Sequence, residues 1–286
     1  MTAGFWMALP GDPSVLTVLP VGPPDDATGR SATGAPVFLA TGAAEALIRA
    51  CPRVAALLPD LAAALDGQAE DAPGRLFDVT AFSADETRLL GEVLGEGEVS
   101  ATAALPGPVV AQIRESVLAG VWRVRFEGPD GRHVAEYVEV AAIPAAVRQA
   151  AALAAPSVVP GVPPEDCMNV RPVLAEIADR MVRWQPGEPS HVVNFSLLPM
   201  TVADMTYLQA CLGSGTVALS ARGYGSCRVL ATGARHVWSV QYSNASGEVV
   251  LDTLEIGDVP AAVLAAAEDF RDSAERLREI AAAYFA

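Results

Sequence analysis

The chain has 286 residues, 51% hydrophobic and 19% charged, which is long enough to bury a core without staples and too apolar for a disordered chain. All 19 basic residues are arginine, and the absence of lysine excludes a Walker-type phosphate loop, a Schiff-base lysine and a kinase-type lysine. The 34 acidic residues set the net charge at −15, so nucleic acid and anionic membrane are not expected partners, and the excess reads first as solubility.

Taken in chain order, residues 1–40 hold closely spaced prolines and glycines and are expected to be extended. Phe5 and Trp6 in this stretch are candidate anchors for a partner. The first basic residue is Arg30, so no secretory signal is expected, and no apolar run reaches the ~18 residues of a membrane span. Residues 42–66 read as two helices, the second opened by Pro52 and bent or restarted at Pro59. Ser83-Ala84-Asp85-Glu86 is a capping box opening a helix over 84–94, which Gly95 ends. Strands follow, including Val121 to Phe126, the turn Gly128-Pro129-Asp130-Gly131, and a strand from Arg132 to Val140. A helix is expected from Pro144, then a proline-rich linker over 155–165. Asn169 to Trp184 reads as an amphipathic helix with Leu174, Ile177, Ala178 and Met181 on one face. Thr201-Val202-Ala203-Asp204 is a weaker capping box for a helix over 202–212. More strands follow, then a helix from Pro260 and a last helix over 268–285 with Phe270, Ala274, Leu277, Ala281 and Phe285 on its apolar face.

The chain repeats itself. Residues 119–147 and 235–263 align without a gap and share 10 of 29 residues, among them Trp122 with Trp238, Gly131 with Gly247 and Glu139 with Glu255. Leu94 to Val99 faces Leu212 to Val217 at an offset of 118 in place of 116. The expected fold is α+β: two related modules, each a helix, about four antiparallel strands and a following helix, in a pseudo-twofold duplication with extra helices. The expected domains are an N-terminal extended segment with helices (1–75), a first repeat (76–154), a linker with the amphipathic helix (155–191) and a second repeat with the C-terminal helix (192–286).

Chemistry is sparse. Gly95-Glu96-Gly97 and Gly213-Ser214-Gly215 follow helices and precede strands, the reverse of a dinucleotide-binding turn, so they read as helix ends. No G-x-S-x-G and no H-E-x-x-H occurs. The four cysteines show no C-x-x-C pair and read as reduced, cytoplasmic thiols. Cys211, Cys227, His191 and His236 all lie in the second half and form a conceivable zinc or iron site, though without chelating spacing. Trp122 and Trp238 are expected in the core. Arg222-Gly223-Tyr224-Gly225-Ser226-Cys227-Arg228 reads as a hairpin turn, or as a binding loop presenting Arg222, Tyr224 and Arg228 to a partner.

Several of these segments together resemble one family. Leu94 to Ser100 followed by Ala119 to Arg125 is similar to the first half of the HupH/HyaF hydrogenase expression/formation proteins. Arg222 to Arg228, His236 to Gln241, Asp252 to Ile256, Val259 to Val263 and Ala267 to Leu277 resemble their C-terminal region. The resemblance covers residues 42–286, with a looser match before them. It implies a cytoplasmic, non-catalytic accessory or chaperone protein, without cofactor, for maturation of an uptake nickel–iron hydrogenase. The implied partner is the precursor of the iron–sulfur small subunit, bound before its twin-arginine export through its signal peptide or unfinished form. Thioredoxin-like and rubredoxin-like accessory proteins are further implied partners. The alternative is a redox- or metal-handling factor in iron–sulfur cluster assembly or protection, using Cys211, Cys227, His191 and His236.

Overall fold

The computed structural model describes residues 42–223 and 225–285, the side chains of 42–44 excepted. The fold is α+β, with antiparallel sheet and seven α-helices among the described residues. In chain order these are α1 (Gly42–Ala50), α2 (Pro52–Asp66), β1 (Arg75–Asp78), α3 (Ala84–Leu94), β2 (Val99–Leu105), β3 (Val109–Glu115), β4 (Val121–Glu127), β5 (His133–Val140), α4 (Ala145–Ala151) and α5 (Val170–Arg183). Then come β6 (His191–Asn194), α6 (Val202–Leu212), β7 (Ser214–Arg222), β8 (Ser226–Thr232), β9 (Val237–Ser243), β10 (Val249–Ile256) and α7 (Ala267–Tyr284). The chain divides into two compact units: the first holds 42–98, 113–144 and 265–285, the second 99–112 and 145–264.

In the first unit, β5 pairs with β1 on one side and β4 on the other. Leu58, Leu61 and Leu65 of α2, Leu89, Leu90 and Val93 of α3, and Phe270, Ala274 and Leu277 of α7 close over Val121, Val138 and Val140. The capping box of α3 forms as its residues require: Ser83 Oγ accepts the Glu86 amide, and Glu86 Oε2 accepts the Ser83 amide at 2.8 Å. Glu86 also receives the Arg53 guanidinium. The Arg53 hydrogen bonds and the Ser83 amide hold its carboxyl down to about 2, against the opposing pull of burial.

One expectation is narrowed here. Pro59 does not restart α2, which runs unbroken from Pro52 to Asp66. Pro59 is exposed, so its ring is carried on the solvent side of the helix.

In the second unit the strand order is β2-β7-β8-β9-β10-β6. β2 and β7 pair with Ala101 opposite Leu219 at the centre of their register. α5 and α6 cover β6, β9 and β10 through Val173, Leu174, Ile177, Leu208 and Leu212 against Val193, Val237, Leu254 and Ile256. The expected second helix at Pro260 is only a 3-10 turn over Ala261–Val263. Leu264 is extended, and Asp269 Oδ2 accepts the Ala266 amide at 2.7 Å, which starts α7 afresh. The short strands β1 and β6 have no counterpart in the sequence expectation.

The glycine pairs are structural. Gly95 and Gly213 end α3 and α6 with φ of 61° and 65°. A Cβ on Gly97 or Gly215 would collide with the backbone carbonyl oxygen of Ser116 or Thr232. Gly215→Ala is therefore expected to cost about 2–3 kcal/mol through forced backbone movement, read as a lowered urea midpoint. An unchanged midpoint removes the close-approach account.

Candidate functional site

The β7–β8 hairpin carries the residues singled out in the sequence. Arg222 pairs with Ser226 at the tip, and the Gly223 amide donates to the Gly225 carbonyl at 3.0 Å. One row of the sheet runs Ser220–Arg228–Gln241–Asp252, each residue directly opposite the next. Gln241 donates to Asp252 at 3.3 Å, and both arginines are exposed. Arg222 and Arg228 form no ion pair among the described residues. Tyr224, Phe5 and Trp6 lie outside the described residues.

The matched row of the first repeat is occupied internally. Glu136 on β5 is 5% exposed and receives Arg123 at 2.6 Å, with Arg125 at 3.5 Å and His133 at 3.7 Å from its carboxylate. At the aligned positions of the second repeat stand Ser239 and Gln241 in place of the two arginines. The second row thus leaves a cation, Arg228, pointed at solvent, where a partner carboxylate can reach it.

Cys211, Cys227, His191 and His236 are not brought together. Among the described residues no group of three or more His, Cys, Asp or Glu side chains is arranged to hold a metal ion. His191 on β6 bonds Glu176 of α5 at 2.6 Å. His236 sits in the turn before β9, its ring 4.5 Å from the Trp184 ring. Its φ of 65° is the left-handed conformation that Gly120 adopts at the aligned position of the first repeat. Burial lowers its pKa and keeps it neutral at pH 7.

Cys227 lies on β8 opposite Tyr242. Burial pushes its thiol up to about 11, and burial with the neighbouring Cys227 takes Tyr242 to about 12. Neither is a ready nucleophile. The cysteine that shares a core margin with Cys211 is Cys167, which was not among the candidate metal ligands. Both pack at the margin of the α5–α6 core with Tyr207. No spacing rule marks a pair 44 residues apart.

Trp122 and Trp238 are both in the core, 0% and 3% exposed. A shallow groove of the first unit between α2 and α7, lined by Leu58, Ala62, Leu277 and Ala281, is rimmed by the Asp66–Arg278 pair and holds no group suited to chemistry.

Comparison with known proteins gives a consistent answer. The model of the HupH hydrogenase expression protein, C-terminal conserved region, matches residues 53–157 and 167–284. The hydrogenase expression/formation protein HupH of Rhizobium leguminosarum bv. viciae is 53% identical over 285 residues, covering 100% of both chains. The hydrogenase expression/formation protein HoxQ of Cupriavidus necator is 42% identical across 76% of each chain. The hydrogenase-1 operon protein HyaF of Escherichia coli K12 is 34% identical across 71% of each. A solved structure, the hydrogenase expression protein HupH of Thiobacillus denitrificans, aligns to 40% of this chain and 96% of its own, at 28% identity and a TM-score of 0.38. With two segments matched to the family model and a relative aligned end to end, the chain belongs to the HupH family of hydrogenase expression proteins.

Proposed function

We propose that the chain is a non-catalytic accessory protein of nickel–iron hydrogenase maturation, working in the cytoplasm on the precursor of the iron–sulfur small subunit. The observation that carries this is the alignment over the whole length, at 53% identity, with a protein named for hydrogenase expression and formation. The described residues add support. Their histidines and thiols are engaged in packing and local bonds, and the perturbed groups Glu86 and Asp204 tie helix ends.

On this reading the acidic body draws in the basic end of a twin-arginine signal peptide, and exposed apolar surface takes its hydrophobic stretch. Arg222 and Arg228, with Tyr224 between them in sequence, serve as contacts for acidic groups on the same precursor or on thioredoxin-like and rubredoxin-like accessory proteins. The two repeats, 76–154 and 192–286, are read as a pseudo-twofold duplication of one module. The register supports this, because Ala101 faces Leu219, the residue to which the 118 offset maps it. The order α2-β1-α3-β2-β3-β4-β5 also recurs as α5-β6-α6-β7-β8-β9-β10, so the duplicated unit begins earlier than the matched sequence does.

The test is affinity capture from hydrogenase-expressing cells. The expected result is recovery of the small-subunit precursor without its mature form, at a yield that falls as salt is raised to about 1 M, where screening acts within ~3 Å. Equal recovery of precursor and mature subunit, or of neither, overturns the proposal.

A further inference from the structure

Among the described residues β6 is the last strand of its sheet and is bonded only to β10. Its residues alternate: Val193 is buried in the α5–α6 core, whereas Val192 faces the other side of the sheet and is 50% exposed. Directly across from Val192 on β10 is Glu255, and across from Glu255 on β9 is the buried Trp238. Glu255 is half-buried and makes no hydrogen bond or ion pair among the described residues. Burial alone raises its pKa, and its charge in turn raises those of Cys227 and Tyr242 on the same face. A carboxylate set among a valine, a tryptophan, a tyrosine and a thiol has given up much of its hydration with no counter-charge in return.

The other repeat shows that this is not a property of the fold as such. Its aligned carboxylate, Glu139, stands opposite Leu76 of β1, but it is only 2% exposed and has an interaction partner. Both edge strands carry an exposed apolar side chain, Leu76 at 55% and Val192 at 50%, but among the described residues only the β6 edge adds a reachable carboxylate.

We propose that the β6 edge receives an extended peptide by strand addition, and that Glu255 takes the guanidinium of an arginine in that peptide. The geometry selects arginine. An added strand lies ~4.8 Å beyond β6, which leaves Glu255 two strand spacings, ~10 Å, from the peptide backbone. A peptide residue opposite Val192 points to the face that Glu255 occupies. Its alkyl stem lies on Val192, and only a long basic side chain carries its charge across β6 to the carboxylate. Backbone hydrogen bonds to the edge supply affinity, and the buried charge pair supplies selectivity. This deepens the signal-peptide reading above and rests on it for the identity of the peptide.

The experiment is fluorescence anisotropy with a labelled synthetic peptide of the small-subunit signal sequence and a second peptide with glutamine for its arginine pair. Both are titrated with the intact protein as wild type, Glu255→Gln and Val192→Arg. Circular dichroism melting checks each variant's fold. The expected result is a loss of about tenfold to a hundredfold in affinity for either variant. The glutamine peptide loses as much on wild type and nothing further on Glu255→Gln. If wild type binds and both variants bind equally well, the β6 site is wrong and the signal-peptide reading stands. If wild type does not bind the peptide, both fall. Should Glu255→Gln fail to fold, the half-exposed Val192→Arg decides. Self-association that Val192→Arg abolishes, with no effect on the peptide, identifies an edge-to-edge dimer and overturns the proposal.

Discussion

Asp204→Ala is expected to destabilise the protein by about 3–5 kcal/mol, far more than a helix cap normally contributes. The side chain is 0% exposed and ties together two helix starts. Within α6 it accepts the Thr201 amide and hydroxyl, both at 2.9 Å, while Thr201 Oγ1 accepts the Asp204 amide at 3.1 Å. Its other oxygen accepts the amides of Asn169 and Val170, at 2.9 and 3.0 Å, and so satisfies the first turn of α5. Alanine strands three backbone N–H groups, two of them on a helix that holds no cap of its own, since Asn169 makes no side-chain cap bond. Thr201→Ala removes only the local half and should cost about 1 kcal/mol.

The pH dependence separates the two causes. Burial pulls the Asp204 carboxyl upward, but the Thr201, Asn169 and Val170 amides and the Thr201 hydroxyl together hold it below its ordinary value. A carboxyl with a depressed folded-state pKa contributes stability above its unfolded value of about 4 and loses it as pH falls through the folded value. The gap between wild type and Asp204→Ala in urea midpoint should therefore be full at pH 7 and narrow below about pH 4. A gap that does not change with pH would mean the cost is packing alone.

The same residue shows what the sequence could reveal. Thr201-Val202-Ala203-Asp204 is readable as a capping box because the partners lie three residues apart, and the box is present. The bond from Asp204 to α5 joins residues 35 apart, and no local pattern announces it. The boundaries of α3, α6 and α5 were legible for that reason: each is set by caps and by apolar spacing within one helix. The continuity of α2 through Pro59 was not legible because exposure, which decides how costly an interrupted hydrogen bond is, is a tertiary property. The turn at Pro260 was misread because Asp269 captures the chain six residues after the point where Pro144 in the first repeat simply begins a helix.

At the candidate sites the limits are sharper. Arg222 and Arg228 are exposed on a hairpin, as their glycine-flanked spacing suggested, but the row that gives Arg228 its neighbours is assembled from three strands. Glu255 was visible only as a matched residue of the repeat. That its counterpart is sealed in while it stands open follows from packing around each edge strand, not from the aligned residues themselves. Cys211 and Cys227, close in sequence, end on a helix and a strand with different neighbours, and Cys167 is the thiol that shares the α5–α6 core margin with Cys211.

The repeat makes one further comparison possible, because the same residue type occupies aligned core positions in different company. Trp122→Ala should cost about 3–5 kcal/mol, the range for deleting a large buried aromatic. Trp122 is wholly buried on β4, and its indole Nε1 donates to the Ala141 carbonyl at 2.8 Å, pinning the end of β5 to its neighbour strand. Trp238 is nearly as buried, yet its indole makes no hydrogen bond among the described residues. Phenylalanine separates volume from bonding. Trp122→Phe leaves a buried carbonyl with its indole donor gone, adding about 1–2 kcal/mol to the packing loss, whereas Trp238→Phe loses packing only. Urea unfolding of the two variants should therefore rank Trp122→Phe as the more damaging, although both residues align and both are core. Equal costs would show that the Ala141 bond carries no net stability and that ring volume alone accounts for the matched tryptophans. A loss on the Trp122→Ala scale is a large share of the 5–15 kcal/mol a folded domain commands. It should lower the protein's abundance in the cell, and with it the yield of captured precursor, without any change at the β6 edge or the β7–β8 hairpin.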